Sequence, residues 1–298
     1  MNRSAEVTPE TVHDGLERAR YLTTPRVETV LYLALKLEKP LLIEGPAGAG
    51  KTEIGKVLAE ILHTELIRLQ CYEGLDEAKA LYEWNYQKQL LRIQADRAQD
   101  LAWSEVTQHI FSTEYLLERP LLRAITTPRK VVLLIDEIDK SDEEFEAFLL
   151  EVLSDFQVSI PELGTISARH RPAVVLTSNR ARELSEALKR RCLYLYLDFP
   201  GVDIEREIVS RKVPELDARL HDQIARFVNG LRKLDLRKAP SIAETLDWAR
   251  ALCALGIKEL STTTVRQTLN FVLKHEEDLR KVDNKISSLI GAAARHNV

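Results

Sequence analysis

Three short runs of apolar residues stand out along the chain: PLLIEG at 40–45, VVLLID at 131–136 and AVVLTSN at 173–179. They lack the alternation of a strand with one solvent-facing side. They therefore predict strands of a parallel sheet that helices cover on both faces. Each run ends in glycine or polar residues, and in such sheets ligands bind at the carboxyl ends of the strands. The pattern predicts an α/β fold with a site at one edge of its sheet.

Between the predicted strands, apolar residues repeat with the spacing of helices. The stripe that follows Thr52 is typical of a helix packed on a sheet and consists of Ile54, Val57, Leu58, Ile61 and Leu62. A second helix is predicted after Asp139, where Ser141 and Glu144 have the spacing of a capping box. Strands that alternate with helices support the α/β assignment.

From about Phe199 onward the strand-like runs disappear and the pattern becomes helical. Helices are predicted around Leu220–Leu231, over Ser241–Leu255 and over Ser261–Leu279. The sequence FPG at 199–201 is typical of a hinge. We therefore expect an α/β domain over residues 1–198 and a smaller all-helical domain over residues 199–298.

Composition narrows the function classes. A chain of 298 residues can bury a large core, its net charge is −4, and its three cysteines are too scattered for a metal pair. The acidic balance and the lack of a basic, aromatic-interleaved patch disfavour nucleic acid as a ligand. The N-terminus lacks the apolar core of a signal peptide, and no apolar run approaches the ~20 residues that span a bilayer. We expect a cytoplasmic protein with reduced thiols and no membrane span.

The sequence GPAGAGKT at 45–52 satisfies G-x-x-x-x-G-K-[ST] and lies between a predicted strand and a predicted helix. Its glycines let backbone N–H groups surround a β-phosphate, next to the positive end of the helix. Lys51 is expected at the β- and γ-phosphates and Thr52 at Mg²⁺. The residues predicted to bind ATP here are Gly45, Pro46, Ala47, Gly48, Ala49, Gly50, Lys51 and Thr52.

The other two runs end in side chains suited to phosphate hydrolysis. Asp136 is predicted to hold Mg²⁺ through water, together with Thr52, and Glu137 to orient or deprotonate the attacking water. A pair of helix-capping acids is the alternative, although Asp139 and Ser141 already offer caps. Asn179 could hydrogen-bond both the γ-phosphate and the water, but an asparagine after a strand is often a turn residue.

In this order, the motifs resemble those of the AAA+ ATPases: GPAGAGKT as Walker A, VVLLIDE as Walker B, TSN as sensor 1 and ALKRRC at the arginine-finger position. The resemblance runs from about Tyr21 to the C-terminal helices. The sequence EGPAGAGKTE and the long segment before Walker B look most like the MoxR family, and within it the CoxD-like proteins. The resemblance implies a P-loop doubly wound parallel sheet, the AAA+ core, followed by a helical lid.

The same resemblance implies a homo-oligomeric ring, expected to be a hexamer, with nucleotide between neighbouring subunits. Arg191, or Arg190 as second choice, would reach the γ-phosphate held by the adjacent subunit, a role that suits a planar guanidinium. The alternative is a basic helix end that complements the helix dipole. Where the family commonly has the sensor 2 arginine, this chain has Ile242. Either Arg237 or Lys238 substitutes for it, or lid closure is coupled to nucleotide differently.

Two segments are candidates for touching a substrate protein. Tyr82, Trp84 and Tyr86 alternate with polar residues, which predicts an extended piece with one aromatic face, where MoxR proteins carry their helix-2 insert. These aromatic residues could equally cover the core. Residues 157–168 predict a β-hairpin with its tip at Glu162–Gly164, where related clades have a pre-sensor 1 hairpin.

Together these expectations describe an ATPase that hydrolyses ATP to ADP and phosphate with Mg²⁺. By the MoxR resemblance it is a protein-remodelling chaperone that activates a client enzyme or helps insert its metal cofactor, together with a von Willebrand A domain partner. The alternative is an AAA+ motor or loader that acts on nucleic acid, which the acidic balance disfavours.

Overall fold

The computed structural model describes residues 7–97 and 110–294, and the chain divides into two compact units. The first unit comprises Met1–Gly15, Arg26–Glu44 and Lys51–Tyr196, and the second comprises Leu16–Pro25, Gly45–Gly50 and Leu197–Val298. That a nucleotide-binding domain ends at residue 198 and a lid begins at 199 stays a prediction. Within the described ranges, no helix is both long and apolar enough to pass through a membrane.

Nine strands occur in the part of the chain that the structure describes. They are β1 (Leu41–Glu44), β2 (Leu66–Gln70), β3 (Tyr82–Trp84), β4 (Leu116–Glu118), β5 (Val132–Asp136), β6 (Gln157–Ile160), β7 (Gly164–Ser167), β8 (Ala173–Ser178) and β9 (Leu193–Tyr196). Five of them form a parallel sheet in the order β2-β5-β8-β1-β9. The prediction of a parallel α/β sheet is therefore confirmed.

The described helices are α1 (Pro9–Arg18), α2 (Pro25–Lys36), α3 (Lys51–Ile61), α4 (Glu77–Ala80), α5 (Tyr86–Arg97), α6 (Pro120–Thr126), α7 (Glu143–Asp155), α8 (Glu186–Arg191), α9 (Val202–Lys212), α10 (Ala218–Arg232), α11 (Ile242–Ala254), α12 (Thr262–Thr268), α13 (Glu276–Asp283) and α14 (Ile286–Ala294). Helices α1 to α8 come before or between the strands in chain order, and α9 to α14 follow the last strand as the C-terminal helical region. Short 3-10 turns occur at Thr113–Tyr115, Ile138–Lys140 and Leu269–Phe271.

Burial explains why three strands of the sheet were visible in the sequence and a fourth was not. Strands β1 and β5 are buried at every position, and β8 at all but its first, so apolar residues fill them. Strand β2 lies at an edge, and its central Arg68 is exposed between the buried Ile67 and Leu69. The sequence LIRLQ therefore alternates and escapes a search for apolar runs.

The register of the strands brings their carboxyl ends together. Gln70 at the end of β2 lies opposite Asp136 at the end of β5, and Glu44 at the end of β1 lies opposite Ser178 at the end of β8. Helix α3 approaches the sheet closely, because a Cβ at Gly55 would lie 3.2 Å from two methyl groups of Leu134. Residues that end four neighbouring strands thus share one edge of the sheet.

The cap predicted for the helix after Walker B is wrong by one residue. Asp142, not Ser141, caps α7, because its carboxylate accepts the backbone N–H of Phe145 at 2.8 Å. The Ser141 hydroxyl instead donates to the carbonyl of Ile138 at 2.8 Å and closes the preceding 3-10 turn. Three consecutive polar residues could each begin the helix, so the sequence alone did not resolve which one does.

The aromatic segment follows the predicted period of two over only three residues. Tyr82 and Trp84 lie in β3, which pairs antiparallel with β4, and Trp84 is buried whereas Tyr86 begins α5 and is exposed. The prediction of one aromatic face that includes all three residues is therefore wrong, since the backbone changes to helix at Tyr86. The predicted hairpin is confirmed as β6 paired with β7, with Glu162 and Leu163 in the turn.

The second unit has a core of its own, in which Phe227 and Trp248 pack with ring centroids 5.3 Å apart. The predicted helices around Leu220–Leu231 and over Ser241–Leu255 are confirmed as α10 and α11, the latter with a capping box of Ser241 and Glu244.

The single helix predicted over Ser261–Leu279 is wrong. The chain breaks after α12 because the N–H groups of Val272 and Leu273 both donate to the carbonyl of Leu269, which tightens the turn. The Lys274 ammonium then donates to the carbonyl of Asn270 at 2.8 Å, and α13 starts only at Glu276. Both Val272 and Leu273 are buried, so packing favours the break.

Candidate functional site

The Walker A threonine and the Walker B aspartate meet in the first unit. The Thr52 hydroxyl, on the first turn of α3, donates to Asp136 Oδ1 at 2.9 Å. The Thr177 hydroxyl on β8 donates to the same oxygen at 2.5 Å. Asp136 is 1% exposed, as expected for the last residue of a central strand. Two hydroxyl groups therefore fix the orientation of this buried carboxylate.

Asn179 links the Walker A lysine to the Walker B glutamate. The Lys51 ammonium donates to Asn179 Oδ1 at 2.7 Å, and the Asn179 amide nitrogen lies 3.3 Å from Glu137 Oε1 as a donor. Asn179 lies 128 positions from Lys51 and 42 positions from Glu137 in the sequence. One amide thus contacts both groups that the sequence predicted to act on a γ-phosphate and a water.

Glu137 is held on an unusual backbone. Its φ is 58° and its ψ is 49°, the left-handed region that a residue with a Cβ enters at a cost. Its N–H donates to the Thr177 hydroxyl at 2.9 Å, and its carboxylate accepts from Gln70 at 3.0 Å. Lys140 also pairs with this carboxylate at 2.5 Å. Three contacts besides Asn179 therefore offset the strain and aim the side chain.

Asp139 anchors the loop that carries Asn179. Its Oδ2 accepts the backbone N–H of Asn179 at 3.1 Å and that of Ala181 at 2.8 Å. The side chain is 4% exposed, and its Oδ1 has no hydrogen-bond partner in the described part of the chain. The third acid of IDEID is therefore a support for the asparagine, a role that the sequence reading missed.

Two further residues missed by the sequence reading lie on β2. Arg68 donates to Asp136 Oδ2 from both Nε, at 3.1 Å, and Nη2, at 2.5 Å. Arg68 Nη2 also donates to Gln70 Oε1, and the Gln70 amide nitrogen reaches Glu137. The only local signal was the alternation of LIRLQ, which aims Arg68 and Gln70 to the same side of the strand.

The electrostatic field of the site is set by burial and by its acids. Burial lowers the pKa of Lys51, and the nearby carboxylates, Asp139 first, oppose that shift. Burial also raises the pKa of the Cys71 thiol to about 12, with Asp136 as the next cause. The thiol is therefore no candidate nucleophile.

The glycine-rich loop at 45–50 belongs to the second unit, where it touches the start of α11. Gly48 has a φ of 80°, and a Cβ on it would lie 2.2 Å from Cβ of Ser241. The N–H of Ile242 donates to the carbonyl of Gly48 at 3.2 Å. A Cβ on Gly45 would lie 1.9 Å from the carbonyl oxygen of Leu197. Glycine is thus required at position 45 by the Leu197 carbonyl and at position 48 by the Ser241 Cβ, each of which leaves no room for a side chain.

The structure gives the two finger candidates different surroundings at the end of α8. Arg191 Nε donates to the Ser154 hydroxyl at 2.9 Å, and Nη1 to the carbonyl of Ala187 at 3.5 Å. Arg190 is exposed, and in the described ranges its guanidinium has no hydrogen bond or ion pair. Both arginines end a helix that Ser185 caps at its start.

The two proposed substitutes for sensor 2 are also placed. The backbone N–H groups of Arg237 and Lys238 donate to Asp278 at 2.9 and 3.4 Å. The Lys238 ammonium pairs with Glu244 at 3.1 Å, which ties it to the capping box of α11. The Arg237 side chain is exposed. Of the two, only Arg237 has a side chain that is not engaged with a carboxylate among the described residues.

The donor set fits a magnesium ion that arrives with a nucleotide. In the described residues, no group of three or more His, Cys, Asp or Glu side chains could hold a metal alone. Mg²⁺ needs no such cage, because it commonly takes one or two carboxylates, substrate phosphates and several waters. Thr52 uses its proton on Asp136, so its oxygen lone pairs remain available to a cation. The residues that would hold Mg²⁺ are Thr52 and Asp136.

The match to protein families agrees with this geometry. Residues 40–192 match the model of the AAA domain, dynein-related subfamily, which is just over half of the chain. The protein therefore belongs to this AAA domain family. The matched range begins just before β1 and ends after α8, so it contains every site residue of the first unit named above.

Similar proteins extend the comparison to most of the chain. Two proteins described as uncharacterised, from Staphylococcus aureus and Staphylococcus haemolyticus, are each 23% identical over 262 residues, 84% of this chain and 90% of theirs. A Thermotoga maritima RuvB mutant is similar at 22% identity with a TM-score of 0.50, covering 94% of this chain and 77% of its own. The Thermotoga maritima RuvB Holliday junction branch migration motor has 19% identity and a TM-score of 0.51, covering 89% and 76%. The AAA+ fold class is thus confirmed.

Proposed function

We propose that the protein hydrolyses ATP to ADP and phosphate at the site formed by Lys51, Thr52, Asp136, Glu137 and Asn179. The observation that carries this proposal is the contact of Asn179 with both Lys51 and Glu137. A purely structural phosphate-binding motif would need no acid held in a left-handed conformation and joined to Lys51 through Asn179. AAA domain membership supports the same reaction.

Each side chain has a distinct task in this reaction. The backbone N–H groups of residues 45–50 and the Lys51 ammonium would bind the phosphates, and Thr52 and Asp136 would hold Mg²⁺. When bound, Mg²⁺ would neutralise charge on the phosphate oxygens. Glu137 orients the attacking water and accepts its proton, while Asn179 holds the water and the γ-phosphate in line.

The basic test is steady-state ATP turnover with Mg²⁺ for the wild type and for Lys51→Ala, with ATP binding measured in parallel. The wild type should turn over ATP at a rate that the substitution removes, together with ATP binding, because Lys51 carries the charge opposite the phosphates. A Lys56→Ala variant is the matched control, since Lys56 lies on the same helix but pairs with Glu53 on the surface. Equal turnover by Lys51→Ala and the wild type would refute the proposal.

We further propose that the active form is a ring, expected to be a hexamer, in which an arginine completes the neighbour's site. Arg191 is the first candidate by sequence position, and the exposed, unengaged guanidinium of Arg190 keeps it a strong second. Neither Arg191→Ala nor Lys51→Ala rings should turn over ATP, but mixed rings should regain turnover at some interfaces. Recovery with Arg190→Ala instead of Arg191→Ala would identify Arg190 as the finger. No recovery in rings shown to mix would refute action between subunits.

As the work that ATP drives, we propose remodelling of a protein, in the manner of the MoxR family and its CoxD-like members. The motif EGPAGAGKTE and the β6–β7 hairpin support this class, and the partners would be a von Willebrand A domain protein and a client enzyme that receives a metal cofactor. Capture from the source cell with a hydrolysis-blocked variant and ATP tests it. Retention of both partners with ATP, and their loss with ADP, is the expected result.

The alternative is a motor or loader that acts on nucleic acid. It is favoured by the similarity to a RuvB Holliday junction branch migration motor, although that similarity concerns the fold. The net charge of −4 argues against it, because nucleic-acid affinity depends on phosphate contacts with lysine and arginine. ATP turnover that rises severalfold with single-stranded or duplex DNA at physiological salt would favour the alternative over the chaperone.

A further inference from the structure

Asp136 has no acceptor position left in the described structure. Its Oδ1 accepts from the hydroxyls of Thr52 and Thr177, and its Oδ2 accepts from Nε and Nη2 of Arg68. An ionised carboxylate offers about four such positions. The Thr52 hydroxyl oxygen keeps its lone pairs for a metal, as described above, but each oxygen of Asp136 already accepts two donors, and both donors to the oxygen that faces β2 come from one guanidinium.

Arg68 is therefore a cation that already lies on the carboxylate expected to serve Mg²⁺. A metal-bound water that donates to Asp136 Oδ2 must share that oxygen with Arg68 or displace it. The Arg68 side chain is 50% exposed, whereas that of Asp136 is 2% exposed, so the guanidinium can move toward solvent while the carboxylate cannot.

The charged side chains around Asp136 also indicate that cations of the protein already occupy the positions near its carboxylate. The segment IDEID supplies three carboxylates, those of Asp136, Glu137 and Asp139. Arg68 pairs with the first and Lys140 with the second, and the Lys51 ammonium feels the attraction of all three acids, most strongly that of Asp139. Three cations thus balance three anions before any metal is added.

We propose that Arg68 is a positioning residue that competes with Mg²⁺ for Asp136 and sets the metal affinity of the site. It holds the Walker B carboxylate in place when no metal is bound, and it weakens the metal when one binds. The same guanidinium donates to the side chain of Gln70, whose amide nitrogen in turn donates to Glu137, the residue proposed to activate water. This inference rests on the proposed ATPase site and concerns the balance of charge within it.

The test is metal affinity, measured separately from turnover. Mn²⁺ binding to the ADP complex is followed by electron paramagnetic resonance for the wild type, Arg68→Gln and Arg119→Gln. Arg119 is the matched control because its side chain is about as exposed as that of Arg68, at 44% against 50%, and it pairs with Glu83 at 2.6 Å beside β4. Arg68→Gln should bind Mn²⁺ about fivefold more tightly, the size expected for removal of one partly screened charge beside the ligand. Arg119→Gln should match the wild type.

A second measurement separates competition from a merely structural role. In the absence of divalent metal, Arg68→Gln should bind ATP more weakly than the wild type, because the site has lost a positive charge, while added Mg²⁺ should restore more affinity than it does in the wild type. Unchanged or weaker Mn²⁺ binding in Arg68→Gln would overturn the inference, as would equal gains in both arginine variants. If the wild type itself bound neither metal nor nucleotide, the proposed function would be overturned instead.

Discussion

Replacement of Asp139 by alanine tests the role of the third Walker B acid most sharply. Asp139 Oδ2 accepts two backbone N–H groups, from Asn179 and Ala181, and the residue is 4% exposed. Hydrogen bonds to a charged group contribute roughly 1.5–3 kcal/mol each. Loss of two of them should therefore destabilise the first unit by about 3–6 kcal/mol. At roughly 2–4 °C per kcal/mol for a unit of this size, its unfolding temperature should fall by about 10 °C.

The matched control is Asp142→Ala, three residues away. Asp142 is exposed and accepts one N–H, that of Phe145, as the cap of α7. Its loss should cost about 1 kcal/mol and leave turnover unchanged. Asp139→Ala should also lower ATP turnover at least tenfold, because Asn179 loses its anchor. Calorimetry and steady-state turnover decide the matter: equal destabilisation by the two variants, or full turnover in Asp139→Ala, would refute this reasoning.

Three shorter predictions concern the rest of the molecule. Arg232→Met should destabilise the second unit by about 3–5 kcal/mol in chemical unfolding, because the fully buried Glu205 carboxylate loses its ion pair. Arg250→Met is the control, since Arg250 pairs with Asp247 on the surface. A loss of stability under about 1 kcal/mol in Arg232→Met would contradict this reasoning. Gly48→Ala should weaken ATP binding at least tenfold, since the new Cβ collides with Ser241, the residue that caps α11; wild-type affinity would exclude that collision. At pH 8, the Cys71 thiol of the native protein should resist labelling by maleimide until urea unfolds the chain. With a pKa of about 12, only about one Cys71 side chain in ten thousand is a thiolate at that pH. Rapid labelling of the native protein would contradict that pKa.

The sequence predicted the parts of the site that lie in local motifs. The motifs GPAGAGKT, IDE and TSN each stand at the end of an apolar run. Strands that are buried on both faces produce such runs, which are easy to recognise in a sequence. The α/β class followed from the alternation of predicted strands with predicted helices. Asn179 was predicted to act on the γ-phosphate and the water, and its contacts with Lys51 and Glu137 depend on the strand order, with β8 between β5 and β1.

The features that could not be predicted from the sequence depend on how neighbouring strands pair, or on which of several suitable residues begins a helix. Arg68 and Gln70 meet Asp136 and Glu137 only because β2 pairs with β5 in a register that places Gln70 opposite Asp136. A shift of one residue would turn both β2 side chains to the opposite face. The choice of Asp142 over Ser141 as a helix cap likewise depended on where Ser141 found its own acceptor.

The most direct test of the ATPase site is a comparison of binding and single-turnover hydrolysis in Glu137→Gln. This change removes the proton acceptor but keeps a side chain that can still pair with Asn179 and Gln70. The variant should bind ATP with the affinity of the wild type and convert less than about one hundredth as much of it per unit time, as expected for loss of a general base. Hydrolysis at the wild-type rate with intact binding would contradict the assignment of Glu137, and with it the central claim.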